Sequence, residues 1–355
     1  MVFFMTWTLV LLMVGNASVS VSGYLAGSWH CVGLLDRVDW SKPYANRVGE
    51  LPLVFWKGPA KKVRSTLNIC PHLGSQLDGG RVTPWGCIKC PYHGLELDGG
   101  GGDADANGAG FGQTCEHEGK LFWSYEPTKP RPPSTPFFHN REFQTSFLEI
   151  DMPCSLPDSA YNTLDLHHPQ FVHNRFLLGF GNDVPPKRIR HWTYPRQPDL
   201  VGMSFDYKTL NPVLTTAHAN YTRNFHAFRF PSNTWSMVSF DKEPGAPPQH
   251  LVIAVDFLPL AERKTRWYVT VAHNYPVMWH TRSLMDFMAS NILKQDKEQM
   301  TRQAPESELK RLAMFQMTLG NEESIWKLKE LFQKKYKYPS AEEAALLYKA
   351  SLCDL

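Results

Sequence analysis

Two short loops, Cys70-Pro-His72 and Cys90-Pro-Tyr-His93, stand seventeen residues apart and bring two thiols and two imidazoles into one small stretch of chain. No other feature restricts the fold as much. Each loop must offer a sulfur and a ring nitrogen from nearly the same place, so the backbone has to turn tightly at both. Pro71 and Gly74 in the first loop, and Pro91 and Gly94 in the second, are residues that permit such turns. Loops held face to face at hairpin tips meet the requirement, which predicts a small antiparallel β unit around them.

Two thiolates on one iron and two imidazoles on the other form the ligand set of a Rieske [2Fe-2S] centre, whose neutral imidazoles raise its potential above that of an all-cysteine cluster. Zinc competes for the same residue types, and Cys87-Ile-Lys-Cys90 is itself a Cys-x-x-Cys. A zinc ribbon, however, wants a second such pair, and Cys70 and His72 have a single residue between them. The other cysteines of the seven, Cys31, Cys87, Cys115, Cys154 and Cys353, lack paired spacing, which excludes a secreted disulfide framework. A net charge of +3 gives no reason to expect nucleic acid as a partner.

At 355 residues, 43% of them hydrophobic, the chain has material for two domains of ordinary size. Short apolar runs separated by Gly, Pro and Asp turns fill 28–125, and Asp98 to Gly110 is a low-complexity loop without calcium-site spacing. The Pro-rich stretch Glu126 to Pro136 reads as the connection between domains. Residues 1–23 form an apolar, signal-like or targeting segment, 24–130 the cluster domain and 131–355 the second domain. Beyond the connection come several strands, then helical periodicity from Val277 to about Gln303 and from Glu323 to Tyr348. The second domain is expected to be α+β, with an antiparallel sheet closed over a long helix.

A second metal site is written into Asn162-Thr-Leu-Asp165-Leu-His167-His168-Pro-Gln-Phe-Val-His173. On a helix interrupted near Pro169, His168 and His173 can turn toward one ion, with Asp165 one turn back. Two histidines and one carboxylate leave open positions on Fe(II), the arrangement that activates dioxygen. The carboxylate is expected from the C-terminal helical stretch; Asp296 is the choice, with Asp286 and Glu298 as alternatives. His167 is rotated about 100° from its neighbour on a helix and is read as packing. His191, His218, His226, His273 and His280 have no partner spacing and default to structure.

Taken together, these motifs resemble the Rieske non-haem iron oxygenases, as an oxygenase component of the alpha-subunit type, from about Trp29 to Gln303. Cys70, His72, Cys90 and His93 match that family's cluster motif. Asn162, Asp165, His168 and His173 match its Asn-x-x-Asp-x-x-His-x4-His segment, and Asp296 with Gln303 resembles its Asp-x6-Gln helix. Respiratory Rieske proteins carry an extra cysteine in each loop; Ser75 and Tyr92 stand at the matching positions here, so the loops resemble the oxygenase and ferredoxin type. The resemblance implies an N-terminal antiparallel β Rieske domain followed by a helix-grip (START-like) catalytic domain. It also implies a homotrimer in which Asp165 accepts hydrogen bonds from His168 of its own chain and from a neighbour's His93.

The activity implied is hydroxylation or oxidative demethylation of a hydrophobic or aromatic small molecule, with O2 as co-substrate and a mononuclear Fe(II) beside the [2Fe-2S] cluster. Electrons come from NAD(P)H through a separate reductase or ferredoxin, since the chain holds no flavin or nicotinamide motif. Asn162 favours the monooxygenase branch, and the lone Cys353 argues against a pigment substrate. The substrate pocket is expected from Phe176, Leu177, Leu178 and inward-facing strand residues between Met203 and Val255. The competing reading is a Rieske electron-transfer or ligand-binding protein without a functional mononuclear iron. Location follows the N-terminal segment: a plastid-like organelle or a membrane surface if the segment acts, the cytoplasm otherwise.

Overall fold

The computed structural model describes residues 27–58, 61–98, 111–173, 185–194, 197–208, 221–240, 248–274, 282–304, 322–336 and 338. The expected N-terminal segment, nearly all of the low-complexity loop and the Phe176 to Leu178 stretch lie outside them. Nine strands come first: β1 (His30–Leu34), β2 (Tyr44–Val48), β3 (Leu51–Lys57), β4 (Val63–Leu67), β5 (Arg81–Val82), β6 (Ile88–Lys89), β7 (Glu96–Leu97), β8 (Gln113–His117) and β9 (Lys120–Ser124). They form three antiparallel sheets of three strands each, ordered β1-β9-β8, β2-β3-β4 and β5-β6-β7. Apolar alternation explains the longer ones: Val63, Ser65 and Leu67 point inward while Arg64 and Thr66 do not. The smallest sheet carries the ligand loops, one just before β5 and the other between β6 and β7.

The remaining strands build a seven-stranded antiparallel sheet: β10 (Gln144–Met152), β11 (Lys187–Tyr194), β12 (Gln197–Lys208), β13 (Tyr221–Arg229), β14 (Asn233–Phe240), β15 (Gln249–Ala261) and β16 (Lys264–His273). Its order is β10-β16-β15-β14-β13-β12-β11, so the first strand pairs with the last. β16 is buried along almost its whole length, as a strand covered on both faces must be. Its hairpin with β15 feeds two cores: Phe257 and Trp267 pack with the helices, while Leu258, Leu260 and Tyr268 join Trp29, Phe55 and Phe122 of the cluster sheets. The Pro-rich connection is pinned across this junction, with Trp29 donating its indole N–H to Lys129 O at 2.8 Å.

The described residues include four helices, α1 (Leu156–Leu164), α2 (His168–Val172), α3 (Arg282–Arg302) and α4 (Glu323–Lys335); α1, α3 and α4 pack on the large sheet, and α2 packs on α3. Ser155 caps α1 by accepting from Asp158 N at 3.2 Å. The chain leaves α1 at Asp165, whose backbone is extended, and re-enters a helix at His168. The interruption thus precedes Pro169, which sits in the first turn of α2 where its missing N–H costs nothing. Met285, Leu293, Asp296 and Met300 are the buried stripe of α3, so a carboxylate stands on its apolar face. α4 ends at Lys335, with Tyr336 already extended; the rest of the expected helical stretch, 339–348, lies outside the described residues. No described helix is long and apolar enough to cross a membrane.

Candidate metal centres

The two cluster loops are built on one plan. Cys70 N donates to Ser75 O at 2.8 Å and Gly74 N to Cys70 O at 2.8 Å; Cys90 N donates to Leu95 O at 2.8 Å and Gly94 N to Cys90 O at 3.1 Å. Both turns close through a left-handed glycine, Gly74 at φ 74° and Gly94 at φ 77°, a conformation that side chains with a Cβ resist. Cys70 and Cys90 are buried and hydrogen-bonded to each other, while the His72 and His93 rings lie 4.8 Å apart at the exposed tip. Burial pushes the Cys70 thiol up; at Cys90 burial is outweighed by N–H groups of Tyr92 and His93, which hold that thiol below its ordinary value. Two sulfurs inside and two ring nitrogens outside fit an Fe2S2 unit with distinct iron ends.

The second centre joins α1, α2 and α3. His168, His173 and Asp296 place one ligand atom each within 4.8 Å of the others. His173 Nε2 lies 3.1 Å and His168 Nε2 3.7 Å from the same oxygen, Asp296 Oδ1. Each imidazole spends Nδ1 elsewhere: His168 donates to the backbone carbonyl of Asp165 at 2.9 Å, and His173 faces Gln295 Oε1 at 3.0 Å. Those bonds orient the rings and leave both Nε2 atoms converging on the carboxylate, as ligands of one ion require. Asn162 Nδ2 reaches Asp296 Oδ1 at 3.4 Å from the same side.

Burial opposes the charge on Asp296, yet the hydrogen bond from His173 and the nearby His168 hold its carboxyl below the ordinary value. Burial pushes His168 down, while at His173 the Asp296 carboxylate overcomes burial and raises the imidazole. A carboxylate only 5% exposed, faced by imidazoles and by no Lys or Arg among the described residues, fits a divalent cation held by two nitrogens and one oxygen. Of the alternative acids, Glu298 is exposed and Asp286 acts on His273 instead.

Asp165 departs from expectation in one respect. Its backbone carbonyl, not its carboxylate, takes the bond from His168; the carboxylate is 3.9 Å away and accepts from His167 N at 2.8 Å. The chain turns out of helix at Asp165, which brings the carbonyl under the ring and leaves the carboxylate partly exposed.

A cavity of about 140 Å³ adjoins Asp296, bounded by Phe205, Val238, Ile253, Val255 and Leu293 among others. His226 also lines it, a residue that sequence spacing assigns to structure. Its Nδ1 faces Thr163 O at 3.2 Å, and burial pushes its pKa down to about 4, so the ring is neutral. A lone histidine in a strand gives no periodic signal; only the pairing of β13 with Met203 and Ser236 places it.

Residues 28–110 match the family model of the Rieske [2Fe-2S] domain. The oxygenase component of dicamba O-demethylase from Stenotrophomonas maltophilia is 28% identical over 164 residues, 42% of this chain and 48% of that protein. The chloroplastic pheophorbide a oxygenase of Oryza sativa subsp. japonica is 27% identical over 41% of this chain and 32% of its own length. The matched stretches therefore span at most about half of these relatives. In three dimensions, dicamba monooxygenase bound to 3,6-dichlorosalicylic acid superposes with a TM-score of 0.70 at 18% identity, covering 88% of this chain and 97% of that one. Residues 28–110 are thus a Rieske [2Fe-2S] domain, and the chain as a whole shares the fold of dicamba monooxygenase.

Proposed function

We propose that the chain is the oxygenase component of a multi-protein system, with 24–130 as its electron-entry domain and 131–355 as its catalytic domain. Cys70, His72, Cys90 and His93 hold the cluster, and His168, His173 and Asp296 hold a mononuclear iron. Bound there, the metals supply one-electron delivery and activation of dioxygen for hydroxylation or oxidative demethylation of a hydrophobic small molecule. The protein's own part is positional. Asn162 steadies Asp296, Gln295 and the Asp165 carbonyl fix the two rings, and the apolar cavity walls keep bulk water from the substrate side. The observation that carries this reading is a buried two-histidine, one-carboxylate cluster opening on an apolar cavity in a chain that also has the Rieske loops.

Metal analysis of the reconstituted protein tests it. Iron beyond the cluster's two atoms, together with O2 uptake when a surrogate reductase supplies electrons, is the expected result. Iron confined to the cluster, with no O2 uptake, supports the simple electron-transfer protein instead.

The same geometry supports a head-to-tail homotrimer as part of this reading. Leu73, Trp85 and Tyr92 are exposed around the cluster loops, and Phe171 is 74% exposed beside a 520 Å³ cleft that Asp165 and His168 line. An apolar tip and an apolar-edged cleft on one chain suit a ring in which each tip enters the neighbour's cleft. The outward Asp165 carboxylate would there accept a hydrogen bond from the neighbour's His93. Asp165→Asn keeps the backbone carbonyl that orients His168, so both metals are expected to remain while turnover falls by about 100-fold, the upper scale for losing an outer ligand contact. Metal content and steady-state rate measured side by side check this; unchanged turnover removes the bridging role. The reductase or ferredoxin is a separate protein drawing on NAD(P)H, and three chloroplastic relatives, the pheophorbide a oxygenase among them, make a plastid-like organelle the proposed location.

A further inference from the structure

The cavity beside Asp296 is one-sided in its hydrogen bonding. Most of its donors are already engaged by the protein: Asn162 Nδ2 donates to Asp296 Oδ1 at 3.4 Å, Thr163 Oγ1 to Ala160 O at 3.0 Å, Thr222 Oγ1 to Tyr207 O at 3.3 Å and Thr234 Oγ1 to Ala227 O at 2.9 Å. Trp267 Nε1 donates to Ser159 Oγ at 2.9 Å, and the Tyr207 hydroxyl is sealed from the open space. Ser236 alone among the described lining hydroxyls can turn either way.

The acceptors are left over. Asn224 Nδ2 lies 3.0 Å from Thr222 O, and because a carbonyl can only accept, the amide orientation is set and Oδ1 faces the other way. His226 is held by the same logic. Its Nδ1 faces the Thr163 carbonyl and must carry the hydrogen, so the neutral ring keeps a lone pair on Nε2. Neither Asn224 Oδ1 nor His226 Nε2 has a donor among the described residues, both side chains line the cavity, and neither atom is buried away from it. The two residues are next-but-one on β13, so their side chains leave the same face of the sheet. No Lys or Arg lines the cavity among the described residues.

We infer that the substrate of this centre is a neutral molecule of about one ring that donates hydrogen bonds, through a hydroxyl or ring N–H, to His226 Nε2 and Asn224 Oδ1. The inference rests on the oxygenase reading above and specifies its substrate class. The size follows from the cavity volume of about 140 Å³, close to the roughly 150 Å³ of a cavity that accepts benzene. A guest offering only acceptors would leave His226 and Asn224 unpaired, which sites built to receive a donor penalise heavily. A carboxylate would in addition find no Lys or Arg among the described lining residues.

Phenol, anisole and benzoate share one ring and carry three kinds of polar group: a donor, an acceptor only and an anion. Isothermal titration of holoprotein with confirmed iron content, without reductase, is expected to show phenol binding about tenfold more tightly than anisole, the scale of one ordinary hydrogen bond, and no saturable binding of benzoate. His226→Phe is expected to bring phenol to the affinity of anisole while leaving anisole within about twofold, since anisole has no O–H to donate to Nε2. Anisole or benzoate binding as tightly as phenol to the unsubstituted protein overturns the inference, whether or not the variant folds. Should metal analysis find only cluster iron, the oxygenase reading fails separately, and the comparison of phenol with anisole still decides the polarity of the cavity.

Discussion

Asp296→Ala protein is expected to purify with its cluster absorption intact, without the mononuclear iron and without turnover. Asp296 Oδ1 is the point on which His168 Nε2, His173 Nε2 and Asn162 Nδ2 converge, so the substitution removes the carboxylate that the proposed cation site needs beside its two imidazoles. Losing an outer-shell partner of a metal ligand costs roughly 10- to 100-fold in affinity or activity. Loss of the carboxylate itself must exceed that range, whereas Asn162→Ala, which only unsteadies the carboxylate through a 3.4 Å contact, falls within it. Iron quantification with visible absorption, followed by O2 uptake, separates the outcomes. An Asp296→Ala protein that retains its third iron and turns over would move the ligand role to another acid.

Asp296 also shows how far the sequence could be read. The cluster loops were legible because their chemistry dictates residue type and spacing within a few positions. His168 and His173 were legible in company with Asp165, since spacing on a broken helix brings them together. Three acids competed for the last ligand position, and what separates them is the stripe of Met285, Leu293 and Met300 that carries Asp296 inward while Glu298 faces solvent. Spacing could not distinguish the Asp165 carbonyl from its carboxylate, because that depends on where the backbone leaves α1. β5, β6 and β7 are two residues each, too short for any period to register. The second helical stretch breaks at Tyr336, and Pro339 biases Tyr338 before it away from helix; 339–348 lie outside the described residues. His226 and Asn224 were invisible for a different reason: their role arises from which carbonyls their neighbours present.

Lys120→Met is expected to be the most destabilising single substitution in the junction between the cluster sheets and the large sheet. Lys120 is 1% exposed on β9, and its ammonium donates to Asp256 Oδ2 on β15 at 2.7 Å and to Thr270 Oγ1 on β16 at 3.2 Å. Burial opposes the charge on Lys120, but Asp256 overcomes it and raises the pKa above the ordinary lysine value, so the ammonium is charged throughout the neutral range. Removing it strands Asp256, which is 3% exposed, with the Asn233 amide at 2.8 Å left as its side-chain donor among the described residues. An uncompensated buried charge costs about 3–5 kcal/mol, a large part of the stability of most domains. Replacing both members, as Lys120→Met with Asp256→Leu, removes the stranded charge and is expected to lose less than Lys120→Met alone. Urea denaturation followed by cluster absorption and by tryptophan fluorescence measures both proteins. If the double variant is the less stable of the two, the pair contributes through its bonds to Thr270 and Asn233 and not through charge compensation. If Lys120→Met unfolds with the wild-type midpoint, the ion pair does not hold the two parts of the molecule together, and the shared packing of Leu258, Leu260 and Tyr268 against Trp29, Phe55 and Phe122 suffices for it.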